Sequence, residues 1–246
     1  MNREPHDATA HVRLLSAVRR FAPPLWFERN GADPDAVVGR LASFARAIEK
    51  DNRRFGLVAK EEVEDFGRLI DRHIVDSLTV WRVLFEVAEH TGRRRLYDFG
   101  SGAGLPGVPL AIAFGDYLTE TVLVERRAKR TAFLLGATVG IPRVRVAEID
   151  AEQIASAEGR ERLLEAIVTF RAYRPTSGPF LRTLGLSLPS GTPVIAMKGT
   201  DERTEAEREI VSASPYAADA GTVPIRWNDG SVERNVLRWT TVNSDR

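Results

Sequence analysis

The sequence predicts an α/β fold: a helical extension, then a mostly parallel sheet with helices on both faces and an antiparallel C-terminal strand. Before residue 93, apolar residues recur at helical spacing, whereas after it short apolar runs alternate with helical stretches. Residues 222–242 alternate apolar and polar side chains, as antiparallel strands do. We therefore expect residues 1–92 to form an N-terminal helical extension that packs on an α/β domain formed by residues 93–246.

Three helices are predicted in the extension. The first covers residues 10–21 and ends before the Pro23-Pro24 pair, because proline interrupts helical hydrogen bonding. The second begins at Asp33-Pro34, since Asp caps helices and proline fits a first turn. An apolar stripe from residue 66 to residue 89 predicts a long amphipathic helix, whole or interrupted.

Short apolar runs after residue 93 predict five parallel strands. They are residues 96–99, 121–124, 144–147, 166–170 and 193–197, with helices predicted over residues 127–139 and 201–212. Ligands of such sheets bind beyond the carboxyl ends of the strands. Polar groups that follow these runs should therefore converge on one crevice: a glycine-rich loop, Glu125, Asp150, Arg171 and Lys198.

Composition excludes several function classes. The 246 residues include no cysteine, which excludes a disulfide framework, thiolate metal sites and cysteine nucleophiles. The four histidines lack metal-ligand spacing, so we expect no metal. Basic and acidic residues number 35 and 34, which argues against nucleic-acid binding by bulk charge alone. Neither a signal peptide nor an apolar run of about 20 residues is present, so we expect a cytoplasmic protein without a membrane partner.

The glycine-rich loop after the first strand is the strongest local motif. From Gly102 it reads GAGLPG, the GxGxxG pattern of dinucleotide-binding loops, with Glu125 at a suitable distance to bind a ribose. Starting from Asp98, the same segment is an acidic residue, one intervening residue and then GxGxG. This arrangement resembles the first motif of Rossmann-like S-adenosylmethionine (SAM) methyltransferases. A tight turn without a ligand is the third interpretation.

Physical detail favours SAM over a dinucleotide. Pro106 removes one of the N–H groups that would hold a pyrophosphate at the helix start. The Asp98 carboxylate suits the cationic end of SAM and would repel a pyrophosphate. We expect Glu125 to accept hydrogen bonds from the ribose hydroxyls of SAM, although the helix dipole alone also favours an acid at a helix start.

Several longer segments resemble one known family, the bacterial 16S rRNA guanine-N7 methyltransferase G family, also called glucose-inhibited division protein B. They are RHIVDSL, GSGAGLPGVPLAI, VERRAKRTAFL, FRA and AMKG, within about residues 72–199. The resemblance implies a Rossmann-like SAM-dependent methyltransferase with an N-terminal helical extension. It also implies methylation of N7 of a guanine in a loop of 16S rRNA, either free or within the small ribosomal subunit.

The resemblance also implies cofactor contacts at Gly100, Leu105 and Arg171, and at the Ala151-Glu152 pair beside the adenine. With the glycine loop and the ribose-binding acid, the expected cofactor site comprises Asp98, Gly100, Gly102, Gly104, Leu105, Glu125, Ala151, Glu152 and Arg171. Asp150 departs from the family, which commonly has an arginine before the Ala-Glu pair.

Candidates for contact with RNA come from the RHIVDSL block, the basic run after the second strand and the end of the fifth strand. They are His73, Asp76, Ser77, Arg126, Arg127, Arg130 and Lys198. Packing is the alternative role for the RHIVDSL residues, and a solvated surface is the alternative for the cations.

The expected reaction needs no catalytic acid or base. N7 of guanine carries an unprotonated lone pair at neutral pH, so methyl transfer requires positioning of the reactants. Two other functions stay open at this point. One is an NAD(P)-dependent oxidoreductase that uses GAGLPG, and the other is a non-catalytic RNA-binding module on a degenerate methyltransferase fold.

Overall fold

The computed structural model describes residues 4–199, 201–227 and 232–244. Helices form its N-terminal part: α1 (Glu4–Phe21), α2 (Trp26–Asn30), α3 (Pro34–Phe55), α4 (Lys60–Val63), α5 (Phe66–Leu69), α6 (Asp76–Leu78) and α7 (Trp81–Thr91). A π-helical turn over Ile70–Val75 joins α5 to α6. As predicted, Asp33 caps the second long helix, and its side chain accepts a hydrogen bond from the Asp35 N–H at 3.1 Å.

The predicted helix over residues 66–89 is interrupted twice. The first interruption is the π-helical turn, a rare geometry that is frequent at functional sites. The second follows α6, where the Thr79 hydroxyl donates to the Asp76 carbonyl at 2.7 Å and competes with regular helical bonding. α7 then begins at Trp81.

One seven-stranded sheet forms the rest of the molecule. Its strands are β1 (Arg95–Phe99), β2 (Glu120–Val124), β3 (Val144–Ala147), β4 (Ala166–Arg171), β5 (Pro193–Lys198), β6 (Ala217–Trp227) and β7 (Val232–Thr241). They lie in the order β3-β2-β1-β4-β5-β7-β6. Strands β1 to β5 are parallel, and β7 is antiparallel to both of its neighbours. The predicted fold class is confirmed.

Helices connect the strands and cover the sheet. They are α8 (Gly107–Phe114), α9 (Ala128–Ala137), α10 (Ile154–Glu158), α11 (Arg160–Leu164), α12 (Gly178–Ser187) and α13 (Asp201–Ser212). Short 3₁₀ turns lie at Gly115–Tyr117 and Ala151–Gln153. Because β1 to β5 are parallel, the loops that follow them all lie at one edge of the sheet, which is where the site is built.

Two apolar cores lie on opposite faces of the sheet. Val122 and Leu123, neighbours on β2, belong to different cores, because successive strand residues point to opposite faces. The core that contains Leu123 also contains side chains of the N-terminal helices. Among them, Trp81 packs edge-on against Trp26 with ring centroids 5.4 Å apart. The N-terminal helices and this face of the sheet therefore share one core.

Candidate functional site

The glycine-rich loop between β1 and α8 is tied to the end of β2. The N–H groups of Gly100 and Ser101 both donate to the Val124 carbonyl, at 2.9 and 3.0 Å. The φ angles of Gly100, Gly102 and Gly104 are 68°, 58° and 85°, in the left-handed region that favours glycine. The turn therefore requires these glycines even without a ligand.

Asp98 lies beneath this loop and is fully buried. Its Oδ2 accepts a hydrogen bond from the N–H of Gly107, the first residue of α8, at 3.0 Å. Its Oδ1 has no hydrogen-bond partner among the described residues, and burial raises the pKa of Asp98 to about 7. Neither carboxyl oxygen reaches the surface in this structure, so the expected contact between Asp98 and a cationic ligand stays a prediction. Asp98 anchors the start of α8.

Leu105 and Gly104 also face inward. The Leu105 side chain is 4% exposed and belongs to an apolar core, and its N–H donates to the Ser101 carbonyl at 3.1 Å. A Cβ atom on Gly104 would lie 2.8 Å from Cγ2 of Val108. Both residues therefore shape the loop, and their expected contacts with the cofactor stay predictions.

Glu125 directly follows β2, and its side chain is almost fully buried. Its Oε2 accepts from the Gly102 N–H at 3.1 Å, and its Oε1 accepts from the Arg127 N–H at 2.8 Å. The Arg130 guanidinium lies 3.8 Å from Oε2. A carboxylate has roughly four lone-pair sites, so these bonds leave acceptor capacity.

A cavity of about 300 Å³ opens beside Glu125, and we call it the loop cavity. Its wall combines the glycine loop with the segments that follow β2, β3 and β4. Lining residues include Gly100, Glu125–Arg127, Ile149–Ala151 and Ala172–Arg174. The structure thus brings together residues from four strand ends, as the topology predicts.

Ala151 and Glu152 occupy different environments beside this cavity. Ala151 is buried in a 3₁₀ turn and lines the cavity. Glu152 is exposed, and its carboxylate forms an ion pair with Arg174. Of the expected cofactor residues, Gly100, Glu125 and Ala151 therefore line the loop cavity, and Glu152 lies beside it.

Tyr173 covers the glycine loop, although no sequence motif singles it out. A Cβ atom on Gly100 would overlap the Tyr173 ring, so the ring lies directly against the loop backbone. The Tyr173 hydroxyl donates to Asp150 Oδ1 at 3.4 Å. Ala172 has a φ of 50°, which is uncommon for a residue with a side chain. We call Ala172–Arg174 the cover segment.

Three arginines from the segment after β2 also line the loop cavity, and we call Arg126, Arg127 and Arg130 the basic rim. The Arg126 side chain is 62% exposed and lies 3.4 Å from Asp150 Oδ2. Exposed guanidinium groups beside a cavity are available to phosphates. The structure therefore brings together these three RNA candidates.

A second cavity, of about 660 Å³, lies beyond the ends of β4 and β5, and we call it the strand-end cavity. The cover segment lines both cavities and so lies between them. Arg171 lines the strand-end cavity and is not among the residues of the loop cavity. Its expected contact with the cofactor stays a prediction.

Buried groups of the RHIVDSL block hold Arg171 in place. Its Nη1 donates to Asp76 Oδ2 at 2.9 Å, and its Nη2 lies 3.0 Å from His73 Nδ1. On the other side of the ring, His73 Nε2 lies 2.8 Å from Glu62 Oε2. Burial, and then the charge of Arg171, lower the pKa of His73. Neutral His73 can thus accept from Arg171 and donate to Glu62.

The RNA candidates of this block are buried and bonded within the protein. Ser77 is fully buried, and its hydroxyl donates to the His73 carbonyl at 2.6 Å, so its side chain packs within the fold and its expected contact with RNA stays a prediction. Asp76 is buried and also accepts from Arg234 Nε at 2.8 Å. His73 and Asp76 therefore position arginines and have little surface to offer RNA.

Lys198, at the end of β5, lines the strand-end cavity with its side chain only 11% exposed. Its Nζ donates to Thr176 Oγ1 at 2.9 Å and forms an ion pair with Glu207. The sequence motifs do not include Glu207, because α13 carries no pattern that distinguishes it from a solvated helix. Contact between Lys198 and RNA stays a prediction.

The model of one protein family, described as GidB, rRNA small subunit methyltransferase G, matches residues 38–222. This chain belongs to the GidB family. Curated relatives named "Ribosomal RNA small subunit methyltransferase G" include one from Treponema pallidum (strain Nichols), 36% identical over 176 residues, which are 70% of this chain and 72% of the relative. The relative from Halorhodospira halophila is 35% identical over 188 residues, which are 75% of this chain and 80% of the relative.

Solved structures agree with the fold of this GidB-family chain. The structure of cofactor-bound Rv0187 from MTB matches 91% of this chain and 99% of that chain, with a TM-score of 0.50 and 16% sequence identity. At this identity the likeness concerns the fold alone. Together with membership of the GidB family, the observed sheet confirms the Rossmann-like methyltransferase fold that the glycine loop predicts.

Potential metal ligands are scattered in the part of the chain that the structure describes. No group of three or more His, Cys, Asp or Glu side chains there is placed to hold a metal ion. None of the described helices is long and apolar enough to span a membrane. The His6 side chain lies outside the described residues.

Proposed function

We propose that this chain transfers the methyl group of SAM to N7 of a guanine in a loop of 16S rRNA. The main structural support for the proposal is the buried Glu125 carboxylate, which lines the loop cavity and can accept further hydrogen bonds. Membership of the GidB family supports methyl transfer. The name shared by the curated relatives supports small-subunit rRNA as the substrate.

The residues of the loop cavity fit SAM. Glu125 offers acceptors to the two ribose hydroxyls, and buried Ala151 offers an apolar surface to the adenine. Gly100 lets a ligand approach the loop backbone closely, but in this structure the Tyr173 ring lies there. We therefore expect the cover segment to shift when SAM binds.

The start of α8 does not suit a dinucleotide. Its first N–H group, that of Gly107, already donates to Asp98, and the loop N–H of Gly102 donates to Glu125. A pyrophosphate would have to displace both of these acceptors and lie beside the charge of Glu125. This arrangement disfavours the NAD(P)-dependent oxidoreductase. Membership of a family described as a methyltransferase disfavours a non-catalytic module.

The strand-end cavity suits the target base. It adjoins the loop cavity at the cover segment, so a base held there would meet a methyl group presented from the loop cavity. A paired or stacked guanine must leave its stack to enter such a cavity, at a cost of a few kcal/mol. This energetic cost is smallest for unpaired guanines in rRNA loops.

The residues of the chain promote the reaction by aligning the methyl donor with the guanine. SAM, when bound, supplies a methyl group whose bond to sulfur breaks as the N7 lone pair forms the new bond to carbon, so the positive charge passes from sulfur to the base. Glu125 fixes the ribose end of the donor, and Arg171, held by Asp76 and His73, lines the strand-end cavity where it can contact donor or acceptor. Correct alignment is worth up to about 7–11 kcal/mol of the barrier.

The basic rim supports contact between the enzyme and the phosphates around the target guanine. The partner is 16S rRNA, free or within the small ribosomal subunit or its assembly intermediates. The cytoplasm, where these partners are found, is the location that goes with this proposal.

Calorimetry and a transfer assay test the proposed function. We expect the purified protein to bind SAM and not NADH, and to transfer labelled methyl groups from SAM to small subunits isolated from cells that lack the gene. The label should appear as 7-methylguanine in 16S rRNA. NADH binding without SAM binding would indicate an oxidoreductase, and RNA binding without methyl transfer would indicate a non-catalytic module.

A further inference from the structure

The strand-end cavity contains an ion pair that methyl transfer to N7 does not itself require. Lys198 of β5 and Glu207 of α13 both line the cavity, and their charged groups are in contact. The two side chains are 11% and 14% exposed, so the pair is largely sheltered from water. Thr176 Oγ1 accepts a hydrogen bond from the same ammonium group at 2.9 Å.

Glu207 is unusual in its setting. Among the described residues that line this cavity it is the one acid, whereas the arginines there are Arg171, Arg174, Arg203 and Arg234. Burial opposes its ionisation, but hydrogen bonds from Lys198 and Thr176 and the charge of Lys198 lower the pKa of Glu207 below its ordinary value. An ionised carboxylate repels phosphate, so its presence points to a ligand with N–H donors at this place.

Guanine carries a matching set of groups on its Watson–Crick edge. In order, that edge presents the O6 acceptor, the N1–H donor and the N2 amino donor. An ammonium beside a carboxylate presents one donor followed by two acceptors, which is the complementary order that cytosine offers in a base pair. Adenine presents an amino donor and an unprotonated N1, so its amino group would oppose the ammonium.

We propose that Lys198 and Glu207 form a guanine-reading pair, in which the ammonium donates to O6 and the carboxylate accepts from N1–H and the N2 amino group. The inference rests on the proposed function, because it states how that site selects its base. N7 lies beyond O6 from N1 and is left free to react. The pair is therefore a specificity determinant.

Reading the base requires a small rearrangement of Glu207. In the free protein the Glu207 carboxylate accepts hydrogen bonds from Thr176, and its Oε2 is buried in contact with the Lys198 ammonium. Rotation of the carboxylate would exchange this contact for the two N–H donors of guanine. Such donors to a charged acceptor are stronger than neutral hydrogen bonds.

Nucleotide analogues test the pair on the unaltered protein. With S-adenosylhomocysteine present, dissociation constants are measured for the monophosphates of guanosine, inosine and adenosine. Inosine lacks only the N2 amino group, so we expect it to bind about tenfold more weakly than guanosine, and adenosine more weakly still. Equal affinities, or no guanosine monophosphate binding at millimolar concentration, would overturn the proposal.

Two variants of α13 separate reading of the base from stability. Glu207→Gln keeps the size of the side chain and should reduce the preference for guanosine over inosine to less than about twofold, with SAM affinity unchanged. Glu205→Gln, whose carboxylate pairs with Arg208 on the same helix, is the matched control and should behave as wild type. A guanosine preference that survives in Glu207→Gln would contradict the assignment.

Methylation of small ribosomal subunits distinguishes failure of this inference from failure of the proposed function on which it rests. If the wild type methylates them, slow single-turnover methylation by Glu207→Gln with normal SAM affinity supports the reading pair, and a wild-type rate contradicts it. If the wild type transfers no methyl group, the proposed function itself is wrong. The analogue series needs no variant, so it decides the proposal even if Glu207→Gln does not fold.

Discussion

At the scale of single residues, three carboxylates near strand ends have three different roles. Asp98 is sealed beneath the glycine loop and anchors α8. Glu125 is buried but lines the loop cavity. Asp150 is partly exposed, and its contacts with Tyr173, Arg126 and the Glu152 N–H all measure 3.3–3.4 Å. Burial and hydrogen bonding therefore decide which of these acids can meet a ligand.

Glu125→Ala should weaken SAM binding by about 1.5–3 kcal/mol, because hydrogen bonds to a charged acceptor are lost. Calorimetric titration measures the effect, and exposed Glu161→Ala serves as the control. Affinity for RNA should hardly change. Weaker RNA binding with unaltered SAM affinity would show that Glu125 has another role.

Asp98 makes stability depend on pH, since burial raises its pKa from 3.8 to about 7. Between these values the native protein retains a proton that the unfolded chain releases. Stability therefore falls as pH rises through this window, by at most about 1.4 kcal/mol per pH unit. Asp98→Asn removes this dependence, so its stability relative to wild type should increase between pH 4.5 and pH 7.

Denaturant unfolding at several pH values measures this trend. Asp116→Asn is the control, because the Asp116 side chain is 84% exposed. A constant difference between Asp98→Asn and wild type across the window would mean that Asp98 is ionised in the native state.

At the scale of elements, the cover segment is the part of the site that we expect to shift when SAM binds. Its Tyr173 ring lies on Gly100, and its Arg174 pairs with Glu152 across the edge of the loop cavity. Ala172 holds the segment in a left-handed conformation. Non-glycine residues in this conformation are found most often at active sites and switch regions.

Tyr173→Ala should speed the association of SAM, because the ring no longer has to leave the loop backbone. Tyr173→Phe keeps the ring and loses only the long hydrogen bond to Asp150, so its association rate should stay closer to that of wild type. Stopped-flow binding measures both rates. An association rate that is the same in Tyr173→Ala and wild type would show that the cover segment does not restrict entry.

The sequence predicts the strands and the loops that meet, because apolar runs and turn residues act locally. It does not predict which way their polar groups face. Arg171 and Asp76 are bonded although 95 residues separate them, and no local pattern reports such a pair. Similarly, the spacing of Asp98 does not report that its Oδ2 accepts a hydrogen bond from the Gly107 N–H, nine residues further along the chain.

At the scale of the whole molecule, positive charge is concentrated beside the loop cavity although the net charge is small. The net charge is only +1, yet three arginines form the basic rim of the loop cavity. An ordinary net charge therefore allows RNA binding when cations are concentrated at the site. Specific contact at this rim should appear in the salt dependence of binding.

Replacement of Arg126, Arg127 and Arg130 together by Gln should flatten the dependence of RNA affinity on salt. Each lost phosphate contact lowers the slope of log affinity against log salt by about 0.7–0.9. The control is Arg29→Gln with Arg40→Gln, at exposed positions of α2 and α3. An unchanged slope in the triple variant would assign the rim to a solvated surface.

Mapping of 7-methylguanine in 16S rRNA tests whether this chain methylates rRNA in the cell. Ribosomal RNA is compared from cells with the gene, without it, and with the gene encoding Glu125→Ala. We expect one 7-methylguanine that is present with the intact gene, absent without it, and strongly reduced with Glu125→Ala. The same set of 7-methylguanines in cells with and without the gene would contradict the account.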